Sequence, residues 1–467
     1  MKRADKPRAD ALVFFGATGD LAYKKIFPAL QSLVKRGRLD VPVIGVARSG
    51  WTLEQLVERA KASVTENGGL DAEAFPKLAA LLRYVDGDYN DPATFEALRR
   101  ALGDAKHPAH YLAIPPSLFG TVVEQLGRSG CATGARVVVE KPFGTDLASA
   151  RQLNKILLGR FEERDVFRID HYLGKRPVHN MLFVRFTNPM IEAIWNRTYI
   201  ESVQMTMAED FGVQGRGGFY DATGTVRDVI QNHLFQLLSN LAMEPPARLD
   251  SECLRDEKVK VLKAIPALTA EDVVRGQFRG YRQERGVAAD SQVETYAAIR
   301  LHINSARWQG VPFYIRAGKS LPVTRTEVVA RLRLPPPVYP TAAPLQNYFR
   351  FLIHPGVAAA FGVTAMDPAD QMIGQRAELV ASRDPGDDEM AAYERVLTEA
   401  LEGDAALFAR MDYVEEAWRI VDPLRTIAGP VREYEPGTWG PTHRAGDIVP
   451  PGGWVDSETE GAVAAHG

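Results

Sequence analysis

A glycine-containing turn near the start of the chain has the spacing of a nucleotide-binding loop. It follows the short apolar run Ala11–Phe15 and reads Gly16, Ala17, Thr18, Gly19, Asp20, Leu21. Two glycines three residues apart allow a tight turn, and the N–H groups at the start of the following helix suit a pyrophosphate. Since the full Gly-x-Gly-x-x-Gly pattern is not present, an ordinary turn between strand and helix is the alternative interpretation.

The end of the second strand-like run bears on the choice of dinucleotide. Folds that bind NAD usually carry a carboxylate there, which accepts a hydrogen bond from the adenosine ribose 2′-OH. In this chain the run Val41–Val46 is followed by Ala47, Arg48 and Ser49. A guanidinium cannot accept from that hydroxyl but suits a 2′-phosphate, so Arg48 favours NADP without excluding NAD. The alternative is a solvated surface arginine.

Histidine is the natural side chain for proton transfer near neutral pH, and the chain contains nine. His233 lies beside Asn232 at the edge of the apolar stripe of a helix-like segment, Thr225–Leu241. The residues alone favour a histidine packed at a border of helix and sheet over a catalytic base. A base also needs a partner that holds its tautomer. Asp228 would lie about 140° away around an α-helix, so it is not predicted to orient the ring.

Two cationic side chains have a spacing that suits phosphate recognition. His171 and Lys175 are four residues apart, so they would share one face if the segment is helical. A helix N-terminus there would also favour an anion. The alternative is a solvated surface pair.

The elements that must position these residues change character along the chain. Residues 11–171 alternate strand-like and helix-like segments, which favours a parallel sheet covered by helices on both faces. The predicted strands here are Ala11–Phe15, Val41–Val46, His110–Ile114 and Arg136–Val139, and the predicted helices are Leu21–Leu33 and Leu53–Ala62.

From about residue 172 onward the strand-like runs lack helices of comparable length between them, so a mostly antiparallel sheet with a few long helices is expected. The runs are Ser202–Ala208, which alternates like one antiparallel strand, Thr295–Ile303, Phe313–Ala317 and Glu327–Leu334. Loops are predicted from Pro335 to Pro344 and over Asp384–Asp388. The predicted domains are residues 9–171 and 172–450, followed by a flexible tail, 451–467.

The composition is that of a globular enzyme. The 467 residues are 45% hydrophobic and 25% charged, with a net charge of -3 that gives no sign of a nucleic-acid partner. No apolar run approaches the length of a membrane span, and the first ten residues do not resemble a signal peptide. The two cysteines, Cys131 and Cys253, form neither a disulfide framework nor a zinc ligand set. We therefore expect a cytoplasmic protein that associates with neither membranes nor nucleic acids.

Several segments together resemble the glucose-6-phosphate dehydrogenase family. They follow the family order from about residue 12 to residue 441, so the resemblance covers nearly the whole chain. The block Asp170–Lys175 is the most specific of them. The matching segments are Gly16–Ala22, Glu140–Gly144, Arg168–Lys175, Arg216–Asp221, Arg227–His233 and Trp439–Pro441.

The resemblance implies a fold and a reaction. The fold is an α/β, Rossmann-like dinucleotide-binding domain followed by an α+β domain with a large, mostly antiparallel sheet. The reaction is the oxidation of D-glucose 6-phosphate at C1 to 6-phospho-D-glucono-1,5-lactone, with hydride transfer to NADP⁺. This is the first step of the oxidative pentose phosphate pathway in carbohydrate metabolism, and it needs no metal. By analogy alone, a homo-oligomer, either a dimer or a tetramer, is expected.

The resemblance also assigns roles residue by residue. His233 matches the general base and Asp170 the acid that orients it, which reverses the interpretation of His233 as a packed histidine. The residues implied to bind the substrate are Lys141, His171, Tyr172, Lys175, Glu209, Asp228 and Lys319. Those implied to bind the coenzyme are Gly16, Thr18, Gly19, Asp20, Leu21, Arg48, Asp88, Tyr89 and Lys141. Two proline-containing turns, Pro115-Pro116 and Lys141-Pro142, match the nicotinamide side.

The chain departs from the family pattern at two positions. Thr324 stands where relatives usually carry a second cation, and Arg325 follows it. A slip of one residue on a strand turns the side chain to the other face, unless a bulge lets Arg325 reach the site. Arg176 stands where many relatives carry an acid.

Two alternatives stay open. One is a non-catalytic paralogue that senses nucleotides, for which Thr324 is the sole support in the sequence. The other is a dehydrogenase of another hexose 6-phosphate, or one that uses NAD⁺.

Overall fold

The chain folds into two compact units. The computed structural model describes residues 7–248, 250–337, 345–367, 373–382, 386, 389–426, 431–441 and 447–456. The first unit contains the described residues of Met1–Arg176, Pro246–Glu257 and Met390–Glu415, and the second those of Pro177–Pro245, Lys258–Glu389 and Glu416–Gly467. After leaving the first unit, the chain therefore returns to it twice.

The strands and helices of the described residues are numbered in chain order. The strands are β1 (Ala11–Phe15), β2 (Val43–Ala47), β3 (Leu82–Asp86), β4 (Pro108–Leu112), β5 (Arg136–Val139), β6 (Val166–Ile169), β7 (Ile200–Ala208), β8 (Val273–Phe278), β9 (Tyr296–His302), β10 (Pro312–Gly318), β11 (Arg325–Leu332), β12 (Tyr348–His354), β13 (Ala358–Met366), β14 (Gly374–Ser382), β15 (Phe408–Ala409) and β16 (Arg432–Tyr434).

The α-helices are α1 (Phe27–Lys35), α2 (Leu53–Asn67), α3 (Ala74–Leu81), α4 (Pro92–Leu102), α5 (Phe119–Arg128), α6 (Leu147–Leu158), α7 (Arg176–Thr187), α8 (Pro189–Ile194), α9 (Gly217–Thr225), α10 (Phe235–Ala242), α11 (Ser251–Lys263), α12 (Ala392–Glu402) and α13 (Met411–Val421). Two further segments, Ala22–Ile26 and Val226–Leu234, are π-helices.

A seven-stranded sheet in the order β3-β2-β1-β4-β5-β6-β15 forms the centre of the first unit. The first six strands pair in parallel, and β15 pairs with β6 in antiparallel fashion. The order β3-β2-β1-β4-β5-β6 is that of the doubly wound dinucleotide-binding fold, in which ligands bind at the carboxyl ends of the strands beside the switch point between β1 and β4. The prediction of a Rossmann-like domain is confirmed.

Both faces of this sheet are buried, as a parallel sheet with helices on each side requires. Alternate residues of β1 show this directly, because Leu12 and Phe14 belong to one hydrophobic core and Val13 and Phe15 to the other. The segment that returns late in the chain completes the Leu12 side, since α12 contributes residues such as Leu397 to that core.

A nine-stranded sheet in the order β14-β13-β12-β11-β7-β10-β9-β8-β16 forms the second unit. The pairs β7–β10 and β8–β16 are parallel, and the six other neighbouring pairs are antiparallel. The prediction of a large, mostly antiparallel sheet is therefore confirmed.

One expectation for this sheet is wrong in detail. The run Ser202–Ala208 was expected to alternate as a single antiparallel strand, whereas β7 is a central strand that pairs with β11 antiparallel and with β10 parallel. All seven of these residues are buried. A central strand covered on both faces needs no polar face, so the alternation of Gln204 and Thr206 with apolar residues reflects buried hydrogen bonds. Gln204, for instance, accepts the Val455 N–H at 2.9 Å.

The helix predicted over Thr225–Leu241 exists, but it has two geometries. Val226–Leu234 is a π-helix, and it continues directly into α10. The π-helix is rare and occurs frequently at functional sites. A second π-helix, Ala22–Ile26, follows the glycine-containing turn, where an α-helix from residue 21 was expected.

The predicted loops and tail lie partly outside the described residues. Residues 333–337 are irregular, residues 338–344 are outside, and so is most of 384–388. Within the predicted tail, residues 453–456 pack against the rest of the second unit, since Arg316 donates to the Val455 carbonyl at 3.0 Å and Val455 is buried. Pro451 and Gly452 are exposed, and residues 457–467 lie outside the described residues. Among the described residues, no helix is long and apolar enough to cross a membrane.

Candidate active site

The glycine-containing turn lies at the carboxyl end of β1, beside the switch point of the sheet. Gly16 has a φ of +79°, and a Cβ built there would stand 2.3 Å from the Ala113 carbonyl oxygen. Only glycine suits a left-handed conformation with so little space. The Gly19 N–H donates to the Gly16 carbonyl at 2.9 Å, which closes the turn. This tight approach of backbone to backbone fits a loop that receives a dinucleotide pyrophosphate.

Side chains from the loops that follow β2 and β3 hold the turn in place. The Tyr89 hydroxyl accepts from the Gly16 N–H at 2.9 Å and donates to the Val46 carbonyl at 3.1 Å. The Thr18 and Ser49 hydroxyls are 2.8 Å apart. Tyr89, which the family resemblance assigned to the coenzyme, therefore also ties the ends of β1 and β2 together. Asp20 is exposed at this turn, whereas Leu21 is partly buried and packs against the hydrophobic core.

Arg48 extends from the end of β2 into solvent. Its side chain is 75% exposed, and its Nη1 lies 2.6 Å from Asp88 Oδ2. Asp88 accepts two further hydrogen bonds, from the Asn90 N–H and side chain; with the Arg48 charge they hold the pKa of Asp88 below its ordinary value. The structure thus brings Arg48 and Asp88 together at the edge where an adenosine ribose would lie.

The end of β5 places a second set of residues at the same edge of the sheet. Glu140 follows β5 directly, and the Lys141-Pro142 peptide bond is cis. The Glu140 carboxylate accepts a hydrogen bond from the Tyr111 hydroxyl. Burial raises the pKa of Glu140 to about 7, although the Tyr111 hydrogen bond and the Lys141 charge oppose this shift.

The segment predicted to bind phosphate is not an α-helix. His171–Gly174 is a single 3₁₀ turn, and Lys175 is extended, so a shared helical face does not relate His171 to Lys175. Tyr172 joins them instead. Its ring lies 3.7 Å from Lys175 Nζ and 5.3 Å from the His171 ring, measured to ring centroids. Asp170 begins the turn, and its Oδ1 accepts the Tyr172 N–H at 3.0 Å.

In the second unit, two adjacent strands bring Glu209 and Lys319 together. Ala208 and Gly318 are partners in the parallel pair β7–β10, and each site residue follows its strand by one position. Lys319 Nζ lies 2.5 Å from Glu209 Oε2, and Lys319 is nearly buried over the rings of Phe211 and Tyr220. A carboxylate held in this way has a fixed orientation and still offers acceptor sites to a hydroxyl.

Asp228 and His233 both lie in the π-helix Val226–Leu234, and His233 is 3% exposed. The predicted separation of about 140° assumed an α-helix. In a π-helix the hydrogen bonds join residues five apart, so Asp228 and His233 lie closer together around the axis than they would in an α-helix. The sequence-based angle is therefore wrong, while the roles assigned to both residues stay predictions.

Tyr220 lies beside the acidic groups of the second unit. Burial raises its pKa well above the ordinary value, and the nearby charges of Asp228 and Glu209 add to this shift. Its hydroxyl is 2.7 Å from the Thr225 hydroxyl. The same unit thus places Glu209, Lys319 and Asp228 around one buried tyrosine. The sequence analysis included Tyr220 in the matching segment Arg216–Asp221 but assigned it no role.

The departure at Thr324 has a defined geometry. The Thr324 hydroxyl donates to Asp210 Oδ1 at 2.5 Å and accepts the Asp210 N–H at 3.1 Å. Arg325 begins β11, where it stands opposite Ala208, and its Nη1 lies 3.7 Å from Glu327. The irregularity between β11 and β12 falls after Thr326. Arg176, the other departure, is exposed at the start of α7.

Sequence reasoning missed several residues that support these sites. Asp86 accepts the Ser49 and Gly50 N–H groups at 3.0 and 2.8 Å and so shapes the loop that carries Arg48. Tyr111 and Tyr393 contact Glu140, yet they are far apart in sequence. The segment Glu140–Gly144 was the one sequence signal that included Glu140, and the family resemblance assigned a binding role in it to Lys141 and none to Glu140.

Family models match almost the entire chain. The model described as "Glucose-6-phosphate dehydrogenase, NAD binding domain" matches residues 13–180, and the one described as "Glucose-6-phosphate dehydrogenase, C-terminal domain" matches residues 182–449. The chain belongs to the glucose-6-phosphate dehydrogenase family. The resemblance inferred from the motifs is thereby confirmed.

Individual members of the glucose-6-phosphate dehydrogenase family are similar to this chain in sequence and in structure. Glucose-6-phosphate 1-dehydrogenase 1 of Mycobacterium bovis is 42% identical over 93% of each chain. The crystal structure of glucose-6-phosphate 1-dehydrogenase from Mycobacterium avium has a TM-score of 0.87 at 43% identity and covers 93% of this chain and 95% of its own. A structure described as the dehydrogenase in complex with its substrate glucose-6-phosphate has a TM-score of 0.86 at 35% identity, covering 94% and 96%.

Proposed function

We propose that this chain oxidises D-glucose 6-phosphate at C1 to 6-phospho-D-glucono-1,5-lactone with NADP⁺ as hydride acceptor, the first step of the oxidative pentose phosphate pathway. Membership of the family over both domains carries this proposal. The enzyme class and a nicotinamide dinucleotide follow from that membership. The sugar, the preference for NADP⁺ and the residue roles are the finer parts that experiments must test.

The first unit supplies the proposed coenzyme and phosphate ligands. The turn at Gly16 would hold the pyrophosphate at the start of the following helix. Its tight backbone requires glycine, because the Ala113 carbonyl leaves no space for a Cβ. Arg48 would bind the 2′-phosphate. His171 and Lys175, both against the Tyr172 ring, would donate to the substrate phosphate. The bound coenzyme would accept the hydride that leaves C1.

The second unit supplies the proposed sugar ligands and the base. Glu209, oriented by Lys319, would accept hydrogen bonds from sugar hydroxyls, and Asp228 would do the same. His233 would remove the proton of the C1 hydroxyl. The family resemblance assigns Asp170 as the residue that holds the tautomer of His233. Fixed polar groups and positioning would supply most of the rate.

A kinetic matrix tests the proposal. The kcat/KM of the purified protein would be measured for glucose 6-phosphate and other hexose 6-phosphates, each with NADP⁺ and NAD⁺. We expect the highest value for glucose 6-phosphate with NADP⁺. A higher value for another sugar or coenzyme would contradict the assignment. No turnover by a folded protein that binds NADP⁺ would favour the nucleotide-sensing paralogue.

We further propose a homo-oligomer, a dimer or a tetramer, that forms through the end of the nine-stranded sheet. β14 ends the order of that sheet, and Leu379 and Val380 on it are 63% and 53% exposed. Unpaired edge strands and exposed apolar patches mark association surfaces. Light scattering should give at least the mass of a dimer for the native protein and a lower mass for Leu379→Lys. A native monomer would contradict the proposal.

We also propose that the protein works in the cytoplasm. Cys131 and Cys253 are both unpaired, which suits a reducing compartment. A plant relative, 38% identical over 92% of this chain, is named cytoplasmic. Activity in the cytosolic fraction of the source cells is the expected result, and activity confined to a secreted or membrane fraction would contradict it.

A further inference from the structure

Glu140 connects three distant parts of the first unit. It is partly buried directly after β5. Its carboxylate accepts hydrogen bonds from two tyrosine hydroxyls, Tyr111 of β4 and Tyr393 at the start of α12. A carboxylate has two oxygens and can hold both phenols at once. The residue thus fixes the position of α12 relative to the carboxyl ends of β4 and β5.

Tyr393 carries this connection to His171. The two rings are nearly parallel, with an interplanar angle of 13° and centroids 6.4 Å apart. The backbone beneath them is closely packed, because a Cβ at Gly174 would stand 2.6 Å from the Ala392 carbonyl oxygen. The Tyr393 ring is therefore held at both ends, by its hydroxyl on Glu140 and by its backbone on the turn that contains His171.

The charges around Glu140 belong to the same ligand-binding edge. Lys141 is its neighbour in the chain, and its positive charge favours the ionised carboxylate, whereas the nearby charge of Asp170 opposes it. Burial raises the pKa values of both tyrosines further above their ordinary value, so both phenols stay protonated donors. One carboxylate thus receives two donors beside the residues proposed to bind the substrate.

We propose that Glu140 is a positioning residue for substrate binding, which acts through the Tyr393 hydroxyl to set the orientation of the His171 ring toward the substrate phosphate. The inference rests on the proposed role of His171. Because Glu140 touches neither substrate nor coenzyme in this role, its loss should weaken the binding of glucose 6-phosphate more than it slows the chemical step. The affinity for NADP⁺ should change little.

Glu140→Gln and Tyr393→Phe test the connection at its two ends. Gln retains the shape but exchanges one acceptor for a donor, and Phe retains the stacked ring but removes the hydroxyl. Each variant should raise the KM for glucose 6-phosphate by about threefold to tenfold, the value of one hydrogen bond, with kcat changed less than about twofold. The double variant should resemble the single ones, since both changes break the same connection.

The His171→Ala background separates this inference from the proposed function. If His171 binds the phosphate, His171→Ala alone raises the KM strongly, and Tyr393→Phe adds nothing further to it. No effect of His171→Ala on the KM would overturn the role of His171 itself. A raised KM in His171→Ala, together with a full further effect of Tyr393→Phe, would overturn the positioning role of Glu140 and Tyr393.

A matched control variant shows whether the loss of any hydrogen bond between a tyrosine and a carboxylate in this unit raises the KM by destabilising the protein. Tyr23→Phe removes another hydrogen bond between a phenol and a carboxylate in the same unit, 2.6 Å from Tyr23 to Glu66, that does not connect to His171. Its KM for glucose 6-phosphate should equal that of the native enzyme. An equal rise in KM for Tyr23→Phe and Tyr393→Phe would overturn the inference. If Tyr393→Phe does not fold, Glu140→Gln carries the same comparison.

Discussion

Removing the guanidinium of Arg48 tests the coenzyme preference. The side chain is 75% exposed beyond β2, so Arg48→Ala should leave no cavity and no change of fold. A charge-assisted hydrogen bond contributes about 1.5–3 kcal/mol, which corresponds to about tenfold to hundredfold in affinity. The KM for NADP⁺ should rise by that factor. NAD⁺ lacks the 2′-phosphate, so its KM should change by less than about threefold.

Asp88 provides a variant with the opposite expectation. Its Oδ2 is 2.6 Å from Arg48, while its Oδ1 accepts from the Asn90 N–H and side chain. Asp88→Asn keeps the Oδ1 acceptor but removes a negative charge that competes with a phosphate for Arg48. We expect the KM for NADP⁺ to fall by about twofold to threefold, and this gain should disappear in the Arg48→Ala background. A rise in this KM would instead support the direct coenzyme contact that the family resemblance implies for Asp88.

Steady-state kinetics with saturating sugar phosphate would measure both variants against both coenzymes. Because the contact joins exposed charges, the difference between Arg48→Ala and the native enzyme should shrink as the ionic strength rises. Equal effects of Arg48→Ala on NADP⁺ and NAD⁺ would refute the 2′-phosphate role. So would an unchanged KM for both.

Three further predictions concern the base, the turn and the pH dependence of stability. His233→Asn should lower kcat by orders of magnitude with near-normal substrate binding in steady-state and equilibrium measurements. Gly16→Ala should abolish NADP⁺ binding in a fluorescence titration and lower the unfolding free energy by at least about 1–2 kcal/mol, because its φ of +79° and the Ala113 oxygen 2.3 Å away exclude a Cβ. Burial lowers the pKa of His110 to about 4 from 6.5, so the unfolded state binds more protons between these values. Stability should therefore be complete above pH 6.5 and fall by about 3 kcal/mol as the pH falls to 4, measured by denaturant unfolding.

Each of these predictions can be contradicted by a stated result, and two of them have a control variant. A mild effect of His233→Asn on kcat would remove it as the base. Gly37→Ala has a similar φ of +65° but open space around its Cβ, so it should cost stability without affecting NADP⁺ binding; equal binding losses for both glycine variants would contradict the account of the turn. His110→Gln should flatten the acid side of the stability profile, and an unchanged slope would contradict the role of His110.

Local patterns were sufficient for much of the fold. The apolar runs at β1 and β5 gave the observed bounds because each is short, buried on both faces and followed by a turn. The switch from alternating helices and strands to strands alone also separated the two kinds of sheet. Both predictions depend on the order of apolar and polar residues within a few positions, and such an order can be recognised in the sequence alone.

The remaining features depend on contacts that no local pattern encodes. Apolar spacing indicates a helix over residues 226–241, but it does not distinguish π from α geometry. The angle between Asp228 and His233 around the helix was therefore predicted for the wrong kind of helix. The return of α12 to the first unit and its Tyr393–Glu140 hydrogen bond join residues more than two hundred positions apart. The shared helical face predicted for His171 and Lys175 is wrong, because the segment is a 3₁₀ turn in which each of the two side chains contacts the Tyr172 ring instead.

The transfer of a deuterium atom tests the central claim most directly. The purified protein would be incubated with NADP⁺ and glucose 6-phosphate deuterated at C1, and the reduced coenzyme would be examined by mass spectrometry. The account predicts that the reduced coenzyme carries the deuterium and that His233→Asn nearly abolishes its formation. Reduced coenzyme without the label, or no reduced coenzyme from a folded protein that binds NADP⁺, would contradict oxidation at C1.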